Sequence, residues 1–192
     1  MRKIISREDR DKKNKRNQII VGIFLIGIMI FGTLGYAFSG NSEDKKEVLR
    51  YKGIDFIKDD SEYWRFNIQG VDFITKYNPE EVEDVDADMS LFINDYKNKP
   101  LYFISEFQEP IFELGGNLNQ FVLRINEACL DEENCLGNLP IKNCSIDNVV
   151  VFEEVLNESG KIYQEDNCIF ISADWNEQVR YSDAFLFEIL GV

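Results

Sequence analysis

The sequence predicts an α+β fold: one N-terminal transmembrane helix, then an extracytoplasmic domain of mixed or antiparallel sheet in the order β-β-β-β-α-β-β-β-α, held by two disulfides. Three observations carry this expectation. Residues 17–42 contain no charged side chain. Beyond them, two regions of strand-like alternation flank a region where apolar residues recur at spacings of three and four, the periods of strand and helix respectively. All four cysteines lie C-terminal to the uncharged stretch.

The apolar run Ile19–Phe38 has 20 residues. As a helix rising ~1.5 Å per residue it spans ~30 Å, the hydrocarbon thickness of a bilayer. Residues 1–18 hold eight basic and three acidic side chains, and residues 41–192 hold 13 basic and 32 acidic ones. Excess Lys and Arg beside a span marks its cytoplasmic side. The expected layout is a basic cytoplasmic tail (1–18), a helix in the lipid bilayer (19–38), a tether (39–47) and an extracytoplasmic domain (48–192). The location that follows is the cell membrane, single-pass, with the N-terminus inside. The alternative is a leader cut near Ala37-Phe38-Ser39. A secretory signal has an apolar core of only ~7–15 residues and a short lead-in, which favours the uncleaved anchor.

Within the domain, Arg50–Ile57 reads as a strand. Trp64, Phe66 and Ile68, then Val71, Phe73 and Thr75, alternate on either side of Gln69-Gly70 and form a hairpin. Tyr77-Asn78-Pro79 ends it, and Pro79–Val82 opens a helical turn with acids at its start. A short helix is expected within Ser90–Tyr96, and a buried strand at Leu101–Ser105. The spacing of Ile111, Leu114, Leu118, Phe121, Val122, Ile125 and Cys129 predicts one helix over Pro110–Leu130. Its Gly115-Gly116 pair suggests close packing on a neighbouring backbone. Asn148–Phe152, Lys161–Gln164 and Cys168–Ser172 read as a three-strand meander. The strand at Leu101–Ser105 reaches the first of these by a crossover. A last helix, beginning at Asp174 or Asp183, runs to Leu190 and stops at Gly191.

An even number of cysteines on the exported side reads as two disulfides, and Cys129–Cys135 with Cys144–Cys168 is the favoured pairing of the three possible. The spacing lacks the tight C-x-x-C knuckles of a zinc site. Two glycosylation sequons begin at Asn143 and Asn157, the latter in an expected turn. The chain has no histidine, which removes Ser-His-Asp and Cys-His catalysis and histidine metal sites. Its acidity excludes nucleic acid, whose phosphates demand a basic surface.

Asp84, Asp86 and Asp88, with Asp95 at the twelfth position, resemble a calcium loop. Met89 stands where the turn glycine belongs, and Asp replaces the bidentate Glu. The same acids would equally form a solvated face, so no cofactor is assigned. Tyr51, Tyr63, Trp64 and Trp175 are candidates for a ligand surface, with core packing as the simpler reading.

The layout, with Tyr77-Asn78-Pro79-Glu80-Glu81-Val82, Leu139-Pro140-Ile141-Lys142-Asn143-Cys144 and Ala184-Phe185-Leu186-Phe187-Glu188-Ile189-Leu190-Gly191, resembles uncharacterised archaeal membrane-anchored proteins. That resemblance covers most of the chain and implies no activity, catalytic residue or cofactor. The functional expectation is a membrane-anchored cell-envelope protein. Its acidic domain would bind another envelope protein or join a surface assembly, and the balance falls against an enzyme. The alternatives are a tethered hydrolase working with carboxylates and a calcium-stabilised adhesion module.

Overall fold

The computed structural model describes residues 15–30, 46–133, 135, 137–156 and 159–192. Two units are separable, residues 1–45 and 46–192. In the first, positions 15–30 form a helix, α1, whose large apolar side chains are exposed. Among the described residues no helix is long and apolar enough to cross a membrane. The second part of the expected span, 31–38, lies outside the described residues, as do most of the expected cytoplasmic tail and most of the tether. The spanning reading therefore rests on the sequence alone.

The second unit opens with two hairpins. Strand β1 (Val48–Tyr51) turns into β2 (Ile54–Lys58) through Lys52-Gly53, with φ of 45° and 85°. Strand β3 (Trp64–Ile68) turns into β4 (Val71–Thr75) through Gln69-Gly70, with φ of 52° and 87°. Positive φ at both central residues is the turn that matches strand twist. The expected single strand Arg50–Ile57 is thus two strands broken at Gly53. The four strands form one antiparallel sheet in chain order. Phe56, Trp64, Phe66 and Phe73 point inward, with Phe66 stacked on Phe73 at 5.2 Å.

Asn78 caps the short 3-10 turn Pro79–Val82, accepting from the amides of Glu80 and Glu81. A second sheet follows, built from β5 (Ala87–Asp88), β6 (Pro100–Ile104), β7 (Arg124–Glu127), β8 (Asn148–Glu154), β9 (Lys161–Glu165) and β10 (Cys168–Ala173). Its order is β5-β9-β10-β8-β6-β7, and only the β9–β10 pair is antiparallel. The expected meander is corrected here: β8 pairs in parallel with β10, not with β9. The reason is legible in side chains. Val149 to Phe152 and Cys168 to Ala173 are buried without alternation, the mark of central strands covered on both faces. The crossover from β6 to a parallel β8 is present.

Among the described residues three α-helices belong to this unit: α2 (Ile93–Tyr96), α3 (Glu109–Leu118) and α4 (Gln178–Leu190). The expected helix over Pro110–Leu130 is overturned, for α3 stops at Leu118. In its last turn Asn117 acts as a strand partner: its Oδ1 accepts from Ile74 N at 2.9 Å and its Nδ2 donates to Ile74 O at 2.7 Å. Residues 119–123 then turn, and Arg124–Glu127 adds β7 to the edge of β6. Gly115 and Gly116 pack on no backbone; a Cβ on Gly115 would meet only the Ile125 side chain at 3.7 Å. Helix α4 begins at Gln178, later than Asp174 and earlier than Asp183, and ends on Gly191 at φ 74°.

α4 is apolar around most of its circumference, and it is buried on both sides. Phe187 reaches Phe56 and Phe66 of the first sheet at 5.9 and 5.6 Å, while Phe185 meets Tyr96 edge-on at 6.2 Å. One apolar cluster accordingly runs from the first sheet through α3 and α4 to the second sheet. The far face of the second sheet carries a smaller cluster of Tyr102, Ala128, Val149, Val151, Cys168 and Phe170, against which Leu130 and Cys144 pack. The structure joins Cys129 to Cys135 and Cys144 to Cys168, with Cα atoms 5.5 and 5.0 Å apart. The second bond staples the segment before β8 to the start of β10, and the first closes a short loop after β7.

Cys144→Ser with Cys168→Ser should lower the unfolding free energy by about 2–4 kcal/mol, read as a urea midpoint. Loss of Cys129–Cys135, which closes a much shorter loop, should cost less. A Cβ on Gly160 would lie 2.6 Å from the Tyr181 ring and 2.8 Å from Ser172 O, whereas one on Gly116 meets nothing within 4 Å. Gly160→Ala should therefore destabilise by about 1–3 kcal/mol, and Gly116→Ala should stabilise by up to about 1 kcal/mol. Thermal melts of the two variants should move in opposite directions.

Candidate functional site

Strands β6, β8 and β10 are adjacent and parallel, so their carboxyl ends share one edge of the sheet. The chain leaves β6 toward β7 and leaves β8 toward β10, in opposite directions. Such a switch opens a crevice beyond the strand ends, where α/β sheets commonly hold ligands. Here the crevice measures about 340 Å³ and is lined by Glu106, Phe107, Phe152, Glu153, Glu154 and Gln178.

Local hydrogen bonds fix the turns and one carboxylate of this lining. Ser105 Oγ accepts from Phe107 N at 3.0 Å and donates to Phe107 O at 2.8 Å, which fixes the turn after β6. Asp174 Oδ1 accepts from Asn176 N at 3.0 Å and orders the turn after β10. These two turns bring Phe107 and Trp175 together at 6.3 Å, with Trp175 54% exposed. Glu153 Oε2 accepts from Ser172 Oγ at 2.6 Å and from Tyr163 OH at 3.2 Å. Burial, then the neighbouring Glu153 charge, pushes the Tyr163 phenol up, which keeps it a donor. Gln178 opens α4 and is 2% exposed, yet its Oε1 has no hydrogen-bond partner.

A larger hollow of about 590 Å³ lies on the outer face of the first sheet, beside Asp55, Arg65, Asn67 and Asp72. Its polar groups already have protein partners, Asp55 facing Arg50 at 3.5 Å. Arg65 Nε donates to Asp59 at 2.8 Å, and Asn67 Nδ2 donates to Asp72 at 2.7 Å. The crevice, with an unpaired acceptor and a carboxylate-rich lining, is the better ligand site.

A second pair of acids lies inside the domain, Asp183 fully buried and Glu113 half-buried. Asp183 on α4 is fully buried, and its Oδ2 accepts from Lys76 N at 3.0 Å and Tyr77 N at 2.9 Å. Its Oδ1 and Glu113 Oε1 of α3 have no donor of their own, and the two carboxyls abut. Both acceptors are satisfied if the pair shares one proton. Burial, and then the Glu113 charge, raises Asp183 well above the usual carboxylate range; burial also raises Glu113. Lys76 lies nearby, with its Nζ 3.6 Å from Glu109.

Two aspartates of the expected calcium loop have protein partners for their carboxylates, Asp84 and Asp95. Asp84 pairs with Arg180 Nη2, Asp88 lies in β5, and Asp95 Oδ2 accepts from Phe92 N at 2.8 Å to start α2. The backbone oxygen of Asp86 accepts from Ile162 N at 2.8 Å. Among the described residues no three Cys, Asp or Glu gather as a metal ion requires. Asn143 is exposed, and its Oδ1 accepts from Ser145 N at 2.9 Å; Asn157 lies outside the described residues. Of the aromatic candidates, Trp64 is a core residue, 2% exposed, and only Trp175 reaches the crevice mouth. Sequence reasoning missed Glu106, Phe107, Glu153, Glu154 and Gln178. Glu153-Glu154 closing an apolar strand was the available signal.

A carboxyl whose pKa is raised by folding adds stability below the unfolded value of ~4 and loses it as pH climbs through the folded value. Stability carried by Asp183 and Glu113 should therefore decline from mildly acid toward neutral pH, by up to ~1.4 kcal/mol per pH unit for one proton. Asp183→Asn can accept from Lys76 and Tyr77 and donate to Glu113. Urea midpoints between pH 5 and 8 should show the variant gaining on the native chain as pH rises. No family model, curated protein or solved structure matches this chain.

Proposed function

We propose that this chain is a membrane-anchored, extracytoplasmic binding protein of the cell envelope, with its ligand seated in the crevice at the ends of β6, β8 and β10. The apolar run from Ile19, the basic residues before it and the acidic majority after it support the anchor and its direction. Two disulfides support an oxidising compartment. The observation that carries binding over catalysis is the separation of the two acidic sets. The carboxyls that share a proton, and so could divide acid and base roles, are closed to solvent at Asp183. The accessible ones line a crevice with an aromatic pair at its mouth. A tethered hydrolase would have only the latter set to work with.

Protease added outside spheroplasts should remove residues 46–192 while a tag on Met1 survives. A protected domain with four free thiols would overturn the placement. The full chain extracted in mild detergent should carry a constant envelope component, and Phe107→Ala with Trp175→Ala should release it. A monodisperse, partnerless chain would overturn the binding role.

A further inference from the structure

We propose that the crevice is a receptor for a cationic side chain, the guanidinium or ammonium group of a basic peptide segment. This rests on the binding role and names its chemistry. The polar side chains lining the crevice are Glu106, Glu153, Glu154 and Gln178, with no Lys or Arg among the lining residues. Every carboxylate can only accept. Gln178 adds an independent mark: it is 2% exposed, it lines the crevice, and its Oε1 lacks the donor that a buried acceptor demands.

A neutral sugar would cover three carboxylates without compensating their charge, an unfavourable exchange. A metal ion would need a tighter cluster than the described residues form. A guanidinium supplies donors in a planar fork and positive charge together. It can also lie against the Phe107–Trp175 pair, where cation–π attraction adds to the carboxylates. The N-terminus of α4 contributes about half a positive charge, which three carboxylates outweigh. A volume of about 340 Å³ admits a side-chain tip rather than a folded element.

Trp175 is exposed and Trp64 is buried, so a shift in tryptophan emission reports on the crevice mouth. The full chain in detergent micelles is titrated with a tetra-arginine peptide and, separately, with chitotetraose. The peptide should shift the emission saturably, with an affinity that falls as salt rises. Glu106→Gln with Glu154→Gln should weaken it roughly tenfold. Asp60→Asn with Glu62→Gln removes the same charge from an exposed loop elsewhere and should leave it within about twofold. Calorimetry on Trp175→Phe should still detect the peptide. The proposal is overturned if both double variants weaken binding alike, if chitotetraose binds and the peptide does not, or if neither binds. Capture of an envelope partner by a chain that ignores the peptide would remove the cationic class and leave the binding role standing.

Discussion

The organisation of this domain depends on covering α4 from both sides. A helix with Val179, Tyr181, Phe185, Leu186, Phe187 and Ile189 buried gives little of its surface to water, so a single sheet cannot satisfy it. The first sheet closes one side with Phe56 and Phe66, and the second sheet closes the other. The outcome is a sheet-helix-sheet stack with one continuous apolar interior. It also explains why Asp183 is costly and yet well partnered. A polar residue on such a helix must find its hydrogen bonds inside, and the end of β4 and Glu113 supply them.

Local chemistry in the sequence was a good guide wherever it acted alone. The Gln69-Gly70 hairpin, the Asn78-Pro79 turn, the Gly191 stop and the presence of two disulfides could all be read from neighbouring residues. The expected helix over Pro110–Leu130 failed because its second half satisfies helical spacing and strand pairing equally. The decision came from β6, whose edge offered hydrogen bonds to Arg124–Glu127, and from Asn117 clasping Ile74. Neither contact has a signature within the segment. The meander failed for a related reason. Three successive strands suggest chain-order pairing, but β8 and β10 are apolar on both faces and prefer each other.

The candidate site was the least legible part. Its members come from the ends of β6 and β8, the turn after β10 and the start of α4, and only parallel register places them side by side. Glu106 and Glu154 are 48 positions apart and have no motif in common. Of the acids that did show a motif, Asp84 pairs with Arg180, and Asp86 is tied to β9 through its backbone oxygen. In an acidic chain, alternation of aspartate is weak information; position relative to a strand end is stronger.

The central place of α4 has a consequence for how the chain acquires its shape. Ribosomes and translocation channels deliver polypeptide from the N-terminus, so every strand emerges before residues 178–190 do. Until they arrive, the inner faces of both sheets lack their common filling, and strands far apart in sequence have little to hold them in register. The emerging chain must stay open and unfinished until its last helix drops into place. That delay makes the arrival of residues 178–190 the moment at which the domain can close.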